Sequence, residues 1–138
     1  MADTLKLEIV TPETTIYSED VEMVTLPGSE GEAGIYPNHV PLMTRVQAGE
    51  IIVNRGGTEE VVAIGEGFAE ITGDHIAILT DNAANSADID KAAAEEAKAK
   101  AERRLEEGGD VTEEEAKALT QAILYSQAQL KAKRRKRG

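Results

Sequence analysis

The sequence predicts a β-then-α fold, an antiparallel sandwich or barrel followed by a hairpin of two helices. Three observations carry this. Apolar residues alternate with period two in the first part. Glycine and proline are concentrated there as well: all four Pro lie at or before Pro41, and past Gly73 glycine recurs only at Gly108, Gly109 and Gly138. After Asn85 the apolar spacing changes to three and four, the signature of helices. The expected division is therefore 1–85 for the β domain and 86–138 for the helical domain.

Leu5, Leu7 and Ile9 share one face against Lys6 and Glu8, the pattern of a half-buried strand. Residues 21–26 read as a second strand. Residues 51–54 and 61–64 form a pair, joined at Gly56-Gly57, where a two-residue hairpin turn needs positive φ. Residues 68–72 and 75–80 make another hairpin about Gly73-Asp74. The prolines, at 12, 27, 37 and 41, belong at strand ends or in loops, where a missing N–H costs nothing. Many short strands with frequent turns indicate an antiparallel sandwich or barrel.

In the helical part, Ser86 or Asp88 is the expected cap of a first helix whose stripe is Ile89, Ala93, Ala97, Ala101 and Leu105. Lys98, Arg103 and Arg104 answer Glu95, Glu96 and Glu107 as surface pairs, and Gly108-Gly109 ends the helix. Thr112 and Glu115 make a capping box for a second helix striped by Ala116, Leu119, Ile123 and Leu130. The short loop makes the pair antiparallel. A stripe made mostly of Ala supplies little adhesion, since one buried methyl yields only ~0.8 kcal/mol. Such a hairpin either docks in more than one place or is fixed by close Ala contacts.

Composition excludes several kinds of chemistry. The 138 residues hold 26 acidic and 15 basic side chains for a net charge of -11, a poor basis for gripping phosphate polymers. There is no Cys, so disulfides, thiolate metal sites and Cys nucleophiles are ruled out, and two His leave no His-rich centre. One Phe and no Trp make the core aliphatic. Gly65-Glu66-Gly67 precedes a strand and does not open a helix, and Gly28, Gly31 and Gly34 have no Lys-Ser/Thr after them, so neither is a nucleotide loop. His75 reads as an exposed strand residue. No catalytic set, cofactor site or metal site emerges, and no signal peptide or apolar span is expected. The charge is uneven: 1–85 carries -12, 86–130 carries -5, and 131–138 carries +6.

Residues 26–42 read LPGSEGEAGIYPNHVPL, and 65–90 read GEGFAEITGDHIAILTDNAANSADID. Both stretches, in this order and ahead of a helical hairpin, closely resemble the epsilon-subunit family of F-type ATP synthases. The resemblance implies a flattened sandwich of about ten strands, then two helices. It also implies a non-catalytic role at the foot of the rotating central stalk. By position, Ser29, Glu30, Gly31 and Glu32 would face the polar loops of the c-subunit ring. Tyr36, Pro37, Asn38, His39, Pro41 and Leu42 would shape the adjacent edge toward the gamma subunit or the ring, and their prolines reduce the entropy cost of ordering it.

The family's hairpin either packs on the sandwich or extends along gamma into the catalytic head, where it restrains ATP hydrolysis. Lys131, Lys133, Arg134, Arg135, Lys136 and Arg137 would there meet acidic segments of the beta subunits; otherwise they form a solvated terminus. Some family members bind ATP through an Ile/Leu-Asp-x-x-Arg-Ala motif. Here Asp90 and Ala94 are kept but Ala93 replaces the Arg, removing a bidentate phosphate donor. The expectation is no cofactor and a peripheral place on the cytoplasmic face of a bacterial inner membrane, reached only through the complex and without nucleic acid. A rival reading is a stand-alone module whose basic tail contacts nucleic acid or acidic lipid.

Overall fold

The computed structural model describes residues 4–28 and 31–137. Ten strands come first: β1 (Leu5–Val10), β2 (Thr15–Val21), β3 (Met23–Gly28), β4 (Gly31–Ile35), β5 (His39–Val46), β6 (Gly49–Arg55), β7 (Thr58–Ile64), β8 (Gly67–Gly73), β9 (His75–Thr80) and β10 (Ala83–Asn85). A 3-10 turn at Ser86–Asp88 leads into α1 (Lys91–Glu107) and α2 (Glu113–Arg137). The strands form two five-stranded sheets, ordered β2-β1-β9-β8-β5 and β10-β7-β6-β3-β4. Every pairing is antiparallel except β1 with β9, which run parallel.

The two hairpin turns fall where the sequence places them. Arg55 pairs with Thr58 across Gly56-Gly57, whose φ values of 57° and 83° suit glycine, and Thr72 pairs with His75 across Gly73-Asp74. Leu5, Leu7 and Ile9 face inward against Ile51, Val53, Val62, Ile64, Ile71, Ile76 and Ile78, in an aliphatic core between the sheets. Four strands were not visible as period-two patterns: β2, β4, β5 and β10. The expected strand at 21–26 is the end of β2 plus β3, divided at Glu22. Pro41 lies within β5, at the irregularity between His39 and Leu42, on a strand at the sheet's edge.

Residues 50–53 of β6 and 61–64 of β7 are buried on both faces. Their inward side chains enter the sandwich core. Their outward side chains are covered by α2, where Val61 and Ala63 join Ile89, Ala128 and Ala132 in a second apolar cluster with half-buried Ala84 and Tyr125. The hairpin is therefore folded onto the outer face of the second sheet, with α2 against the sheet and α1 along α2.

Local details of the hairpin correct four expectations. The cap of α1 is Asp90, whose Oδ1 accepts from the Ala93 N–H at 3.0 Å, while Ser86 and Asp88 belong to the preceding 3-10 turn. The buried face of α1 is Ala94 and Ala101; Ala93 and Ala97 are exposed. Thr112 Oγ1 accepts from the Glu115 N–H at 3.1 Å, as a cap should, but the Glu115 carboxylate does not turn back to complete a capping box. It takes Arg104 bidentately, Nε at 3.1 Å and Nη2 at 3.2 Å, and Asp110 accepts from the same guanidinium at 3.2 Å. Arg104 thus staples the tip of the hairpin. Lys98 meets Glu102, not Glu95 or Glu96, at 3.9 Å.

Candidate functional site

The segment from 26 to 42 does not form one patch. Glu32 lies on β4, opposite Pro27 at the edge of the second sheet, and is exposed. Gly31 adopts φ 108°, and a Cβ on Gly28 would meet the Gly31 carbonyl at 2.8 Å, so glycine is needed at this narrow hairpin root. Ser29 and Glu30 lie outside the described residues. The chain then crosses to the first sheet through Tyr36, Pro37 and Asn38. Asn38 takes a positive φ of 68° and donates its N–H to the Gly73 carbonyl at 2.9 Å, which seats the start of β5 beside Gly73. Tyr36 is 62% exposed and Leu42 is 46% exposed on this corner, and Pro41 is exposed between them. The His39 side chain is outside what is described.

The edge continues into a surface that the sequence did not single out. Cross-strand register aligns Arg45, Phe68, Leu79 and Val10 in one row across β5, β8, β9 and β1 on the outward face of the first sheet. Phe68, Leu79 and the neighbouring Met43 are strongly exposed, and the Arg45 guanidinium sits 5.4 Å from the Phe68 ring centroid. A signal was available: strand 75–80 carries Ile76 and Ile78 on one face but Leu79 on the other, more apolar surface than one core can use. The row borders a groove of about 910 Å³ between the end of the sandwich and α2, lined by Thr11, Val46, Phe68, Leu79, Gln121 and Leu124.

Polar side chains close the flank of the sandwich. Tyr17 on β2 donates its hydroxyl to Glu60 Oε1 on β7 at 2.5 Å, and Arg55 reaches Glu60 at 3.2 Å and Glu19 at 3.1 Å. Burial first, then the Glu60 hydrogen bond and charge, push the Tyr17 phenol well above its ordinary value. His75 is not a lone residue: its Nε2 lies 2.8 Å from Glu8 Oε1, brought across the parallel β1–β9 pair from 67 positions away.

The basic tail is part of α2. Arg135 Nε donates to Glu50 Oε2 at 3.0 Å and Lys131 Nζ lies 3.7 Å from Glu50 Oε1. Lys133 is half-buried and Arg134 exposed, and the side chains of Lys136 and Arg137 are outside the described residues. Glu50, on β6, has only 4% of its side chain exposed. At the other end of the hairpin, Asp90 is engaged in capping α1 and Ala93 carries no polar group toward it.

The profile of the family described as "ATP synthase, Delta/Epsilon chain, beta-sandwich domain" matches residues 4–86. The chain belongs to the ATP synthase delta/epsilon family. Curated relatives agree. The ATP synthase epsilon chain of Laribacter hongkongensis is 40% identical over 131 residues, 94% of this chain and 92% of the relative. That of Syntrophobacter fumaroxidans is 44% identical over 110 residues, 80% and 82% of the two chains. Among solved structures, a chain of the Euglena gracilis mitochondrial ATP synthase, in an assembly described as OSCP/F1/c-ring, superposes with a TM-score of 0.71 at 22% identity. That match covers 91% of this chain and 78% of that chain, and supports the delta/epsilon fold through the helices. Among the described residues of this family member, no helix is long and apolar enough to cross a membrane.

Proposed function

We propose that the chain is a non-catalytic rotor subunit of an F-type ATP synthase. Its sandwich binds the gamma subunit and the c-subunit ring, and its helical hairpin restrains ATP hydrolysis at the beta subunits. The observation that carries the binding role is the outward row Phe68, Leu79 and Val10 with Met43, an apolar face contiguous with the Tyr36–Leu42 corner. A face of this kind on an otherwise acidic domain marks a protein contact. On this reading the row and corner meet gamma, and Glu32 with Ser29, Glu30 and Gly31 faces the ring's polar loops. The membrane is reached only through the complex, at its cytoplasmic side.

The regulatory role rests on how the hairpin is held. α2 touches the sheet mainly through small side chains, and α1 packs along α2, so the hairpin can leave without disturbing the sandwich core. The same basic residues, 131 to 137, would then be released to meet acidic segments of the beta subunits. The rival reading, a module gripping nucleic acid or acidic lipid through that tail, has no support: Lys131 and Arg135 are engaged by Glu50, and the family is that of ATP synthase delta and epsilon chains.

The test is reconstitution with the catalytic head and gamma, comparing the full chain with a truncation after Asn85. Both are expected to bind gamma, and only the full chain to depress hydrolysis. Equal hydrolysis rates would remove the inhibitory role, and loss of gamma binding by Phe68→Asp with an intact fold would support the assigned face.

A further inference from the structure

The sandwich itself supplies an acidic receptor for the basic tail. Glu50 stands in the outward row of β6, beside buried Ile52 and opposite buried Ala63, on the face that α2 covers. Its carboxylate is nearly sealed from water, yet both of its oxygens have a cationic partner, and both partners come from adjacent turns of α2, Lys131 and Arg135, spaced i and i+4. Arg135 is held in its charged form chiefly by the Glu50 hydrogen bond and charge, with smaller contributions from Glu59 and Glu32. Three carboxylates from β4, β6 and β7 therefore act on one guanidinium.

We propose that Glu50 is the catch of the hairpin, an intramolecular docking site for Lys131 and Arg135 that sets how much of the protein has its hairpin packed. A buried carboxylate that loses its cations is left unpaired until water replaces the helix, so release is all-or-none at this point. The tail's charges also cannot serve two partners. While Arg135 is on Glu50 it is withheld from any acidic surface elsewhere, and an acidic partner that captures it competes directly with Glu50. The regulatory consequence rests on the hairpin's proposed role in hydrolysis; the catch itself does not.

The absence of cysteine makes the test direct, since a pair introduced by Glu13→Cys and Glu106→Cys gives two unique label sites on the full chain, one on the sandwich and one on α1. Spin-label distance distributions are expected to be dominated by one packed distance in the parent. Glu50→Gln, and separately Lys131→Gln with Arg135→Gln, should each raise the detached fraction about tenfold or more. Combining all three changes should add little further, because both sides of one interaction are already gone. The tail variant cannot unfold the sandwich core, so it decides the matter even if Glu50→Gln folds poorly. An unchanged distance distribution in the tail variant overturns the catch. In the reconstituted complex, a detached hairpin with unaltered ATP hydrolysis leaves the catch standing and refutes the inhibitory role instead.

Discussion

Ala132 is the most informative place to perturb the hairpin. It is fully buried in the cluster that joins α2 to the sheet, with Ala128 one turn earlier and Val61, Ala63 and Ile89 beneath. Two alanine methyls contribute about 1.6 kcal/mol, and half-buried Tyr125 with the covered Val61 and Ala63 brings the apolar adhesion to about 5 kcal/mol. Ala132→Glu overfills a sealed position and forces an unpaired carboxylate into that layer, at a cost of about 3–5 kcal/mol. The loss is as large as the adhesion, so the helix should lift off. The sixteen side chains of the sandwich core belong to a separate cluster and should hold. Hydrogen exchange on the full chain reads this directly: amides of α1 and α2 should lose protection while those of β6 to β9 keep theirs. Under the proposed function, hydrolysis by the reconstituted complex should fall at the same time. If the variant instead unfolds in one cooperative transition, or α2 stays protected, the two-layer reasoning is wrong.

Three further outcomes follow from particular contacts. A Cβ at Gly67 would collide with the Leu79 carbonyl and sit 3.1 Å from Thr80 Cα, all backbone, so Gly67→Ala should cost about 1–3 kcal/mol and lower the midpoint of thermal unfolding. The Tyr17 phenol is raised in the fold above its ordinary 10.0, so its proton stabilises the native state. That contribution is complete below pH 10 and is lost as pH rises beyond it; denaturant titrations should therefore lose stability more steeply with alkaline pH in the parent than in Tyr17→Phe. Met43→Asp and Phe68→Asp, both on exposed positions, should leave the melting curve within ~0.5 kcal/mol of the parent and weaken binding to gamma about tenfold or more.

What could be read from the chain depended on how much each element buries. β1 and β6 to β9 announce themselves because alternate or successive residues are apolar. β2 has one fully buried residue, Val21, and β4 one, Ile35, so edge strands of this kind carry almost no period-two signal. The phase of α1 differs from its apolar spacing for a related reason. Alanine occupies 92, 93, 94, 97, 99 and 101, and a helix with alanine on several faces does not declare which one is inside. The cap was expected at Ser86 or Asp88, but the 3-10 turn takes up both residues and leaves the cap to Asp90. The basic tail stood out as a charge block, but its acceptor did not: Glu50 opens the run EIIV as an ordinary strand-end acid, and Arg135 lies 85 positions later. The family-like segment 26–42 was legible as a motif, whereas its division between two sheets was not, because the crossing depends on Asn38 in positive φ beside Gly73.

The placement of a carboxylate at 50 makes sense only when α2 is considered as a surface. Alanine at 118, 122, 128 and 132 gives the helix small steps along much of its length, so apolar packing alone specifies its position on the sheet weakly. An apolar residue at 50 would bury equally well and avoid the desolvation cost of an ion pair, and in net stability it would match or exceed Glu50. It would also permit the helix to slide. Glu50 accepts Lys131 and Arg135 from adjacent turns at once, a condition that one register satisfies and a shift of one turn destroys. Alanine then keeps the adhesion low while the charge keeps the geometry unique. A hairpin held this way comes off as a unit, with its cations rehydrated together, which is what a detachable element requires and a Leu-rich one would resist.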